Sequence, residues 1–263
     1  AFWPANVHMV GKDIIRFHTV YWPAFLMAAD LPLPEKVYAH GWWTIEGEKM
    51  SKSLGNAVAP AALVDEFGLD QTRWFMMREV PFGNDGNFSR EGMINRVNSE
   101  LANNIGNLVQ RTLSMVAKNC EGKVPSSQAV NPEDEAALKA MYGEFKSFAE
   151  AIDSYRFHTA LDYVVGFANA ANAYIDVQAP WKLKKEDPKR MEAVLFVLLD
   201  YIRVIAIMLQ PVMPDSSAKI LAQLNIAEND RGFAAISAEK RLAPGAALEA
   251  PQPVFPRFTE KAA

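Results

Sequence analysis

Cysteine and histidine are scarce in this chain, and their scarcity removes several classes of site. The 263 residues include one cysteine, Cys120, so no internal disulfide and no multi-cysteine zinc site can form. A single thiol is typical of a reducing compartment, and we expect a cytoplasmic protein. The four histidines have no metal-binding spacing of the HExxH type, and we therefore expect no zinc or other metal site in this chain. They are His8, His18, His40 and His158.

The chain also lacks an excess of basic residues and a long uninterrupted apolar run. Its 27 lysines and arginines are outnumbered by 31 acidic residues, so any nucleic-acid surface must be a local one. The most apolar stretch, residues 191–209, contains Glu192, Asp200 and Arg203, and therefore predicts a buried helix rather than a membrane span. Because the chain starts at Ala1 without a signal peptide or an initiator methionine, we expect it to be the C-terminal part of a longer protein.

The first ninety residues alternate between strand and helix patterns. Residues 7–10 form an apolar strand that ends at Gly11, residues 14–28 have helical periodicity, and residues 36–40 form a second strand. A strand, a helix and a strand over this length predict a parallel βαβ crossover. Since ligands of such sheets bind beyond the carboxyl ends of the strands, Gly11-Lys12-Asp13 and His40 are candidate site residues.

Between a strand-like run at 42–45 and a helix beginning at Pro60 lies the segment Lys49-Met50-Ser51-Lys52-Ser53. Its small and polar residues favour a flexible loop that carries two ammonium groups. Lysine is a point charge on a flexible stem, so it can follow a phosphate that moves during a reaction. The segment therefore indicates a loop that closes over a polyphosphate and neutralises the charge developing there.

From Pro60 onward the sequence predicts successive amphipathic helices. Asp70 and Asp215 are expected to cap two of them, and residues 81–87 are expected to form a loop. The helices are expected at 60–68, 70–78, 89–122, 131–155, 157–177, 187–209 and 215–224. Short connections between antiparallel helices indicate a helix bundle. We place the domain boundary after Phe88, giving domains 1–88 and 89–263, with an extended tail after Arg231.

One helix and one dipeptide carry candidate base-reading groups. Residues 89–122 have an apolar stripe, and Asn107 and Arg111 lie off it, on a polar face shared with Asn104 and Glu100. The stripe consists of Met93, Val97, Leu101, Ile105, Leu108, Thr112 and Val116. Asn and Arg can read nucleobase edges, and Trp181 after Pro180 is expected in a loop where it can stack an unpaired base. A basic cluster nearby could bind phosphate and contains Lys182, Lys184, Lys185, Lys189 and Arg190.

Two segments resemble a known family. KMSKS at 49–53, followed by Leu54-Gly55-Asn56, resembles the second signature of class I aminoacyl-tRNA synthetases. HMVGKDI at 8–14 with Phe17-His18 resembles the HxxGKDI…FH segment of the methionyl-tRNA synthetases. KMSKS alone would also fit the cysteine, isoleucine, valine or leucine enzymes, and the GKDI…FH pairing narrows it to methionine. The resemblance implies the second half of a Rossmann-like nucleotide-binding fold, followed by an all-α anticodon-binding bundle.

The resemblance also implies roles for individual residues. Gly11 and Asp13 would contact the adenosine of ATP, and His40 would lie near ATP. Lys49 and Lys52 would be catalytic residues that stabilise the triphosphate of ATP. Mg²⁺ would accompany that triphosphate. Ile14 and His18, one helical turn apart, would line the methionine pocket. NLVQR at 107–111 resembles the family's NLxxR segment and Pro180-Trp181 matches its partner, so that Asn107, Arg111, Pro180 and Trp181 would read the anticodon.

The expected function is ATP-dependent activation of methionine and its transfer to tRNA(Met) by a monomeric enzyme. The first half of the nucleotide-binding fold, with its HIGH signature, would lie before residue 1, so the isolated chain is expected to be inactive. Two alternatives remain open from the sequence. One is a non-catalytic tRNA-binding fragment, which would not need the KMSKS segment. The other is a class I synthetase of another specificity, such as the cysteine enzyme, which would require zinc ligands outside this chain.

Overall fold

The computed structural model describes residues 3–50 and 55–259, which form a small α/β part followed by a helical part. Within these two ranges the five strands are β1 His8–Gly11, β2 Val37–His40, β3 Trp43–Ile45, β4 Glu48–Lys49 and β5 Gly86–Phe88. The ten α-helices of the described residues are α1 Trp22–Ala28, α2 Pro60–Phe67, α3 Leu69–Arg78, α4 Arg90–Arg96, α5 Asn107–Asn119, α6 Pro132–Asp153, α7 Phe157–Gln178, α8 Pro180–Glu186, α9 Pro188–Leu209 and α10 Pro214–Gln223. The predicted fold class is confirmed.

The predicted βαβ crossover is present. Strands β1 and β2 are parallel, and Gly11 pairs with His40 at their shared carboxyl end. The connection between them is helical but irregular, because a 3₁₀ turn at Lys12–Ile14 and a wider π turn at Phe17–Tyr21 precede α1. The strands thus bring residues from two distant segments to one sheet edge.

A second, three-stranded sheet contains two strands, β4 and β5, that the sequence analysis missed, and it places Lys49 in a strand rather than in the expected loop. Strand β3 pairs antiparallel with β4 and parallel with β5. The prediction of a loop at 81–87 was therefore wrong at Gly86 and Asn87, which belong to β5. A three-residue strand is too short to show a period, and its backbone is ordered by pairing with β3 rather than by its own residues.

The long helix predicted at 89–122 is present as one helical run of three parts. Helix α4 is capped by Ser89, whose Oγ accepts the Gly92 N–H at 3.0 Å, and a π-helical stretch at Val97–Gly106 joins α4 to α5. The predicted apolar stripe is buried along its whole length. Its four-residue spacings through Ile105 exceed the 3.6 residues of an α-helical turn, and the wider π turns keep these side chains on one face.

The helices after residue 131 form the predicted bundle around α9, which is buried from Ala193 to Leu209. Helix α6 begins with a capping box between Asn131 and Asp134, and Asp187 caps α9 by accepting the Arg190 N–H. Among the described residues, no helix has the length and apolar character that crossing a membrane requires.

The predicted capping roles of Asp70 and Asp215 were wrong. Asp70 lies in the first turn of α3, and its buried carboxylate accepts the Ser216 N–H at 2.6 Å, so it caps α10 instead of its own helix. Asp215 is an exposed residue of the first turn of α10, after Met213 at the N-cap. A cap supplied by a residue 146 positions away leaves no trace in the local sequence.

Two arginines of α3 fasten it to the bundle. Arg73 donates to the carbonyl oxygens of Pro211 and Val212, and Arg78 forms an ion pair with Asp162 at 2.8 Å.

The tail after Arg231 contains short 3₁₀ turns and otherwise extended chain, and it buries Val254 and Phe255. The boundary after Phe88 stays a prediction.

Candidate functional site

Gly11, Asp13 and His40 come together at the carboxyl end of the β1–β2 pair. A Cβ placed on Gly11 would lie 2.5 Å from Asp13 Oδ1 and 3.7 Å from His40 Cε1, so a side chain here would displace the Asp13 carboxylate. His40 donates from Nδ1 to the Gly41 carbonyl at 2.9 Å, and this hydrogen bond orients the ring at the strand end. The three groups form a compact polar edge that suits a ribose and its neighbouring phosphate.

A clamp that the sequence analysis missed lies beside this edge. Lys12 Nζ is 2.6 Å from the carboxylate of Asp85, and it lies 4.1 Å from the centre of the Trp42 ring. The same carboxylate accepts the Trp42 N–H at 2.8 Å. The Lys12 ammonium and the Trp42 amide lower the pKa of Asp85 below its ordinary value. The clamp therefore links the Gly11–Asp13 turn to the start of β3.

His18 lies in an aromatic cleft of about 380 Å³. The cleft is lined by His8, Phe17, His18, Tyr21, Trp22 and Phe25. His18 donates from Nδ1 to the Ile14 carbonyl at 3.0 Å. Ile14 and His18, which were predicted to line the methionine pocket together, are thus joined through the backbone of Ile14. An aromatic and polarisable lining suits a thioether. The aromatic residues other than His18 were not singled out as site residues, although their three- and four-residue spacing was the available signal.

The signature segment leaves the second sheet at β4. Glu46 and Gly47 form the turn between β3 and β4, and Lys49 pairs with Thr44 of β3. The side chain of Asn87 on β5 accepts the Gly47 N–H at 2.7 Å, and this contact was also missed from the sequence. The second signature lysine, Lys52, lies outside the described residues.

Arg111 and Trp181 are brought together at the far end of the bundle. The guanidinium of Arg111 lies 5.6 Å from the centre of the Trp181 ring and forms an ion pair with Asp176 at 2.9 Å. Pro180 is buried and Trp181 is 45% exposed. Trp181 occupies the first turn of α8, so its predicted placement in a loop was wrong, because Pro180 starts a new helix immediately after Ala179.

The other polar residues of the long helix point in different directions. Asn107 lines a groove of about 460 Å³ between the start of α5 and the tail at 253–255. Asn104 accepts from Asn172 and donates to Asn169 on α7. Glu100 accepts from the Trp74 indole and from Arg96, so its carboxylate is held within the fold. The π turns before Asn107 change the angular position of residues that a regular helix would align.

The residues of the predicted basic cluster also differ in their surroundings. Lys182, Lys184, Lys185 and Lys189 are exposed on and after α8. Arg190 instead forms an ion pair with buried Asp134 and donates to Gln178 at 2.9 Å, so its guanidinium lies within the bundle and apart from the exposed lysines. Through these contacts Arg190 connects the starts of α6 and α9 to the end of α7. Trp181 follows shortly after that end, in α8.

Comparison with known proteins places both parts of the chain in one family. Residues 1–113 match the family model of class I tRNA synthetases (M), and residues 124–263 match that of the anticodon binding domain of methionyl tRNA ligase. A methionine–tRNA ligase of Brucella suis is 51% identical over 260 residues, which are 99% of this chain and 50% of that protein. One of Mycobacterium bovis is 48% identical over 261 residues, with 98% and 50% covered.

Solved structures agree with these sequence relatives. Mycobacterium tuberculosis methionyl-tRNA synthetase in complex with methionyl-adenylate superimposes with a TM-score of 0.93 at 48% identity, covering 97% of this chain and 51% of that one. Its apo form gives a TM-score of 0.91 at 44% identity, covering 99% and 51%. The chain thus spans about half the length of the curated relatives it matches. It belongs to the methionyl-tRNA synthetase family and matches the end of the catalytic domain followed by the anticodon-binding domain.

Proposed function

We propose that this chain is part of an enzyme that activates methionine with ATP and transfers it to tRNA(Met). The observation that carries the proposal is the polar edge of Gly11, Asp13 and His40, which the Lys12–Asp85 clamp links to the sheet that holds the signature segment. Family membership supplies the reaction, and this geometry supplies a place for its nucleotide. We further propose that the enzyme acts as a monomer in the cytoplasm.

The first step joins methionine to the nucleotide. The methionine carboxylate attacks the α-phosphate of ATP in line, and pyrophosphate leaves with the electron pair of the broken bond. Gly11, Asp13 and His40 would hold the adenosine and its first phosphate. His18 would orient methionine in the aromatic cleft, and Ile14 would act through its carbonyl, which holds the His18 ring. The protein needs no nucleophile of its own, so positioning and charge neutralisation carry the catalysis.

Lys49 and Lys52 would supply that charge neutralisation. Negative charge gathers on the departing pyrophosphate, and an ammonium held near it stabilises the transition state more than the ground state. The described residues include no group of three or more His, Cys, Asp or Glu placed to hold a metal ion. Mg²⁺ would therefore arrive with ATP and be held largely by the phosphates and water.

In the second step the terminal ribose hydroxyl of the tRNA attacks the carbonyl carbon of the adenylate, and AMP leaves. The tRNA would be selected at the other end of the molecule, where Asn107, Arg111, Pro180 and Trp181 lie at or near the end of the bundle. The exposed Trp181 ring would stack an anticodon base, with Arg111 beside it for hydrogen bonding. The exposed lysines of α8 would contact phosphates of the anticodon stem.

The proposal is tested by methionine-dependent ATP–pyrophosphate exchange with the full-length parent enzyme. Lys52→Ala should slow adenylate formation about a hundredfold, or roughly 3 kcal/mol, with little change in methionine affinity. The 263-residue chain alone should show no exchange. A normal rate with collapsed methionine affinity in Lys52→Ala would contradict the proposed role of the loop, and exchange by the chain alone would contradict its dependence on the rest of the enzyme.

A further inference from the structure

The turn that precedes the signature segment adopts an unusual backbone conformation. Glu46 has a φ of 50° and Gly47 a φ of 85°, so both central residues of the β3–β4 hairpin lie in the left-handed region. Such a two-residue turn matches the twist of the flanking strands, but glutamate adopts it at a cost. Contacts from outside the hairpin are therefore expected to hold it.

Those contacts come from β5. Asn87 Oδ1 lies 2.7 Å from the Gly47 amide nitrogen and 3.0 Å from Thr44 Oγ1, while the Glu46 N–H donates to the Phe88 carbonyl at 3.2 Å. One side-chain oxygen thus contacts both the turn and the strand that leads into it. The Gly47 N–H donates to Asn87 Oδ1 alone, whereas the single hydroxyl hydrogen of Thr44 is shared between Asn87 Oδ1 and the Gly86 carbonyl, which is also 3.0 Å away.

Strand register connects this contact to the signature. Asn87 is directly opposite Thr44 in the β5–β3 pair, and Thr44 is directly opposite Lys49 in the β3–β4 pair. Lys49 is only two residues beyond Gly47. The backbone conformation at Gly47 therefore sets where the first signature lysine leaves the sheet.

We propose that Asn87 is a positioning residue for the signature segment, and this inference rests on the proposed function. It would not touch the substrate. A loop that neutralises charge in a transition state works best when its base is held in place before the reaction. Asn87 fixes that base through the Gly47 amide, so its loss would weaken transition-state stabilisation and leave the methionine cleft unaffected.

The test compares three variants of the full-length parent enzyme. Asn87→Leu removes the acceptor, Asn87→Asp keeps an acceptor oxygen, and Asn84→Leu makes the same change at a loop residue whose side chain has no hydrogen bond with the described residues. In ATP–pyrophosphate exchange, Asn87→Leu should lower kcat about tenfold, the size expected for one lost hydrogen bond. Its KM for methionine should stay within about twofold of wild type, and Asn87→Asp should recover most of the loss.

A second measurement does not depend on activity. Deuterium uptake at the Gly47 amide should be faster in Asn87→Leu and unchanged in Asn84→Leu, because only the former frees that amide. Unchanged kcat and unchanged uptake in Asn87→Leu would overturn the proposal, as would equal kinetic losses in both leucine variants. An inactive wild-type parent would instead refute the proposed function, and the uptake measurement would still decide whether Asn87 holds the turn.

Discussion

The contact between Trp181 and Arg111 prepares a surface on which a nucleobase can stack. They lie on α8 and α5, 70 positions apart, yet the guanidinium of Arg111 is held against the ring by Asp176. A flat ring that is partly exposed and beside a cation can stack a base without further rearrangement.

We therefore expect Trp181→Ala in the parent enzyme to weaken tRNA recognition by about 1–3 kcal/mol. Charging of tRNA with a substituted anticodon should fall less than charging of the native tRNA, so that discrimination relaxes. Exchange measured without tRNA should not change, and Trp181→Phe should retain most of the recognition. Equal losses in exchange and charging would show that Trp181 only supports the core.

Asp134 is the second residue whose role depends on its surroundings. Its carboxylate is buried, and it contacts Arg190, Tyr174 and the backbone of Asn131. Burial alone would raise its pKa, but the hydrogen bonds from Arg190, Asn131 and Tyr174 outweigh burial and leave the pKa lowered. A carboxyl whose folded-state pKa is lowered stabilises the fold above its unfolded pKa and loses that contribution as the pH falls.

Asp134→Ala should accordingly lower the free energy of unfolding at neutral pH by about 3–5 kcal/mol, because the guanidinium of Arg190 loses its buried carboxylate partner. The difference from wild type should shrink as the pH falls below about 4, the ordinary pKa that the carboxyl has in the unfolded chain, and continue to shrink as the pH passes the lowered pKa of the folded state. Urea unfolding across that pH range measures both effects. Glu133→Ala, at the exposed neighbouring position, should cost less than about 1 kcal/mol. A difference that is independent of pH would contradict this interpretation.

At the scale of helices, the starts of α4, α6 and α9 were predictable because their caps are local. Ser89, Asn131 and Asp187 each precede the helix whose N–H groups they accept. Helix α10 is the exception, because its cap is the carboxylate of Asp70 on α3. The contact fastens α3, the helix after α2, onto the bundle.

Asp70→Ala should lower the free energy of unfolding by about 1–2 kcal/mol through loss of this cap. Asp215→Ala is the matched control, since Asp215 is the residue that local sequence would name as the cap. It is exposed in the first turn of α10 and should cost less than about 1 kcal/mol. Thermal or urea unfolding of the two variants checks the order, and a larger loss in Asp215→Ala would reverse the assignment.

At the scale of the whole molecule, buried charge holds the tail to the centre of the bundle. Arg203 of α9 is 1% exposed, pairs with Asp200 at 2.7 Å, and donates to the carbonyl oxygens of Ala235 and Ser237. Arg241 reaches the same cluster through Tyr142 and forms an ion pair with Glu135. The tail between Arg231 and Arg241 thus depends on polar contacts as well as on apolar packing.

Arg203→Met should release this part of the tail, because an apolar side chain removes the buried ion pair with Asp200 and both hydrogen bonds from α9 to the tail carbonyls of Ala235 and Ser237. We expect protease cleavage within residues 231–241 to become at least tenfold faster. Lys240→Ala, which removes an exposed ion pair with Asp230, should leave the cleavage rate nearly unchanged. Cleavage followed by mass spectrometry measures both rates, and equal rates in Arg203→Met and wild type would contradict the proposed fastening.

The sequence by itself determined the α/β-then-helical order, the starts of α4, α6 and α9, and the buried stripe of the long helix. Apolar periodicity and capping are local signals, so they can be read within a few residues. The KMSKS and GKDI segments determined the family in the same way. The assigned roles of Gly11, Asp13, His40 and the signature lysines stay proposals that the geometry supports.

Only the tertiary structure decided the contacts that join distant segments. The Lys12–Asp85 clamp, the cap supplied by Asp70 and the hold of Asn87 on Gly47 connect residues at least 40 positions apart. The tertiary structure also decided that β5 is a strand, because its backbone is ordered by pairing with β3. It likewise decided that the polar side chains near Asn107 point in different directions, because the π turns that separate them depend on packing against other helices. A polar side chain finds its partner only when the chain has folded, since the free energy of that contact depends on burial and geometry that the folded state alone creates.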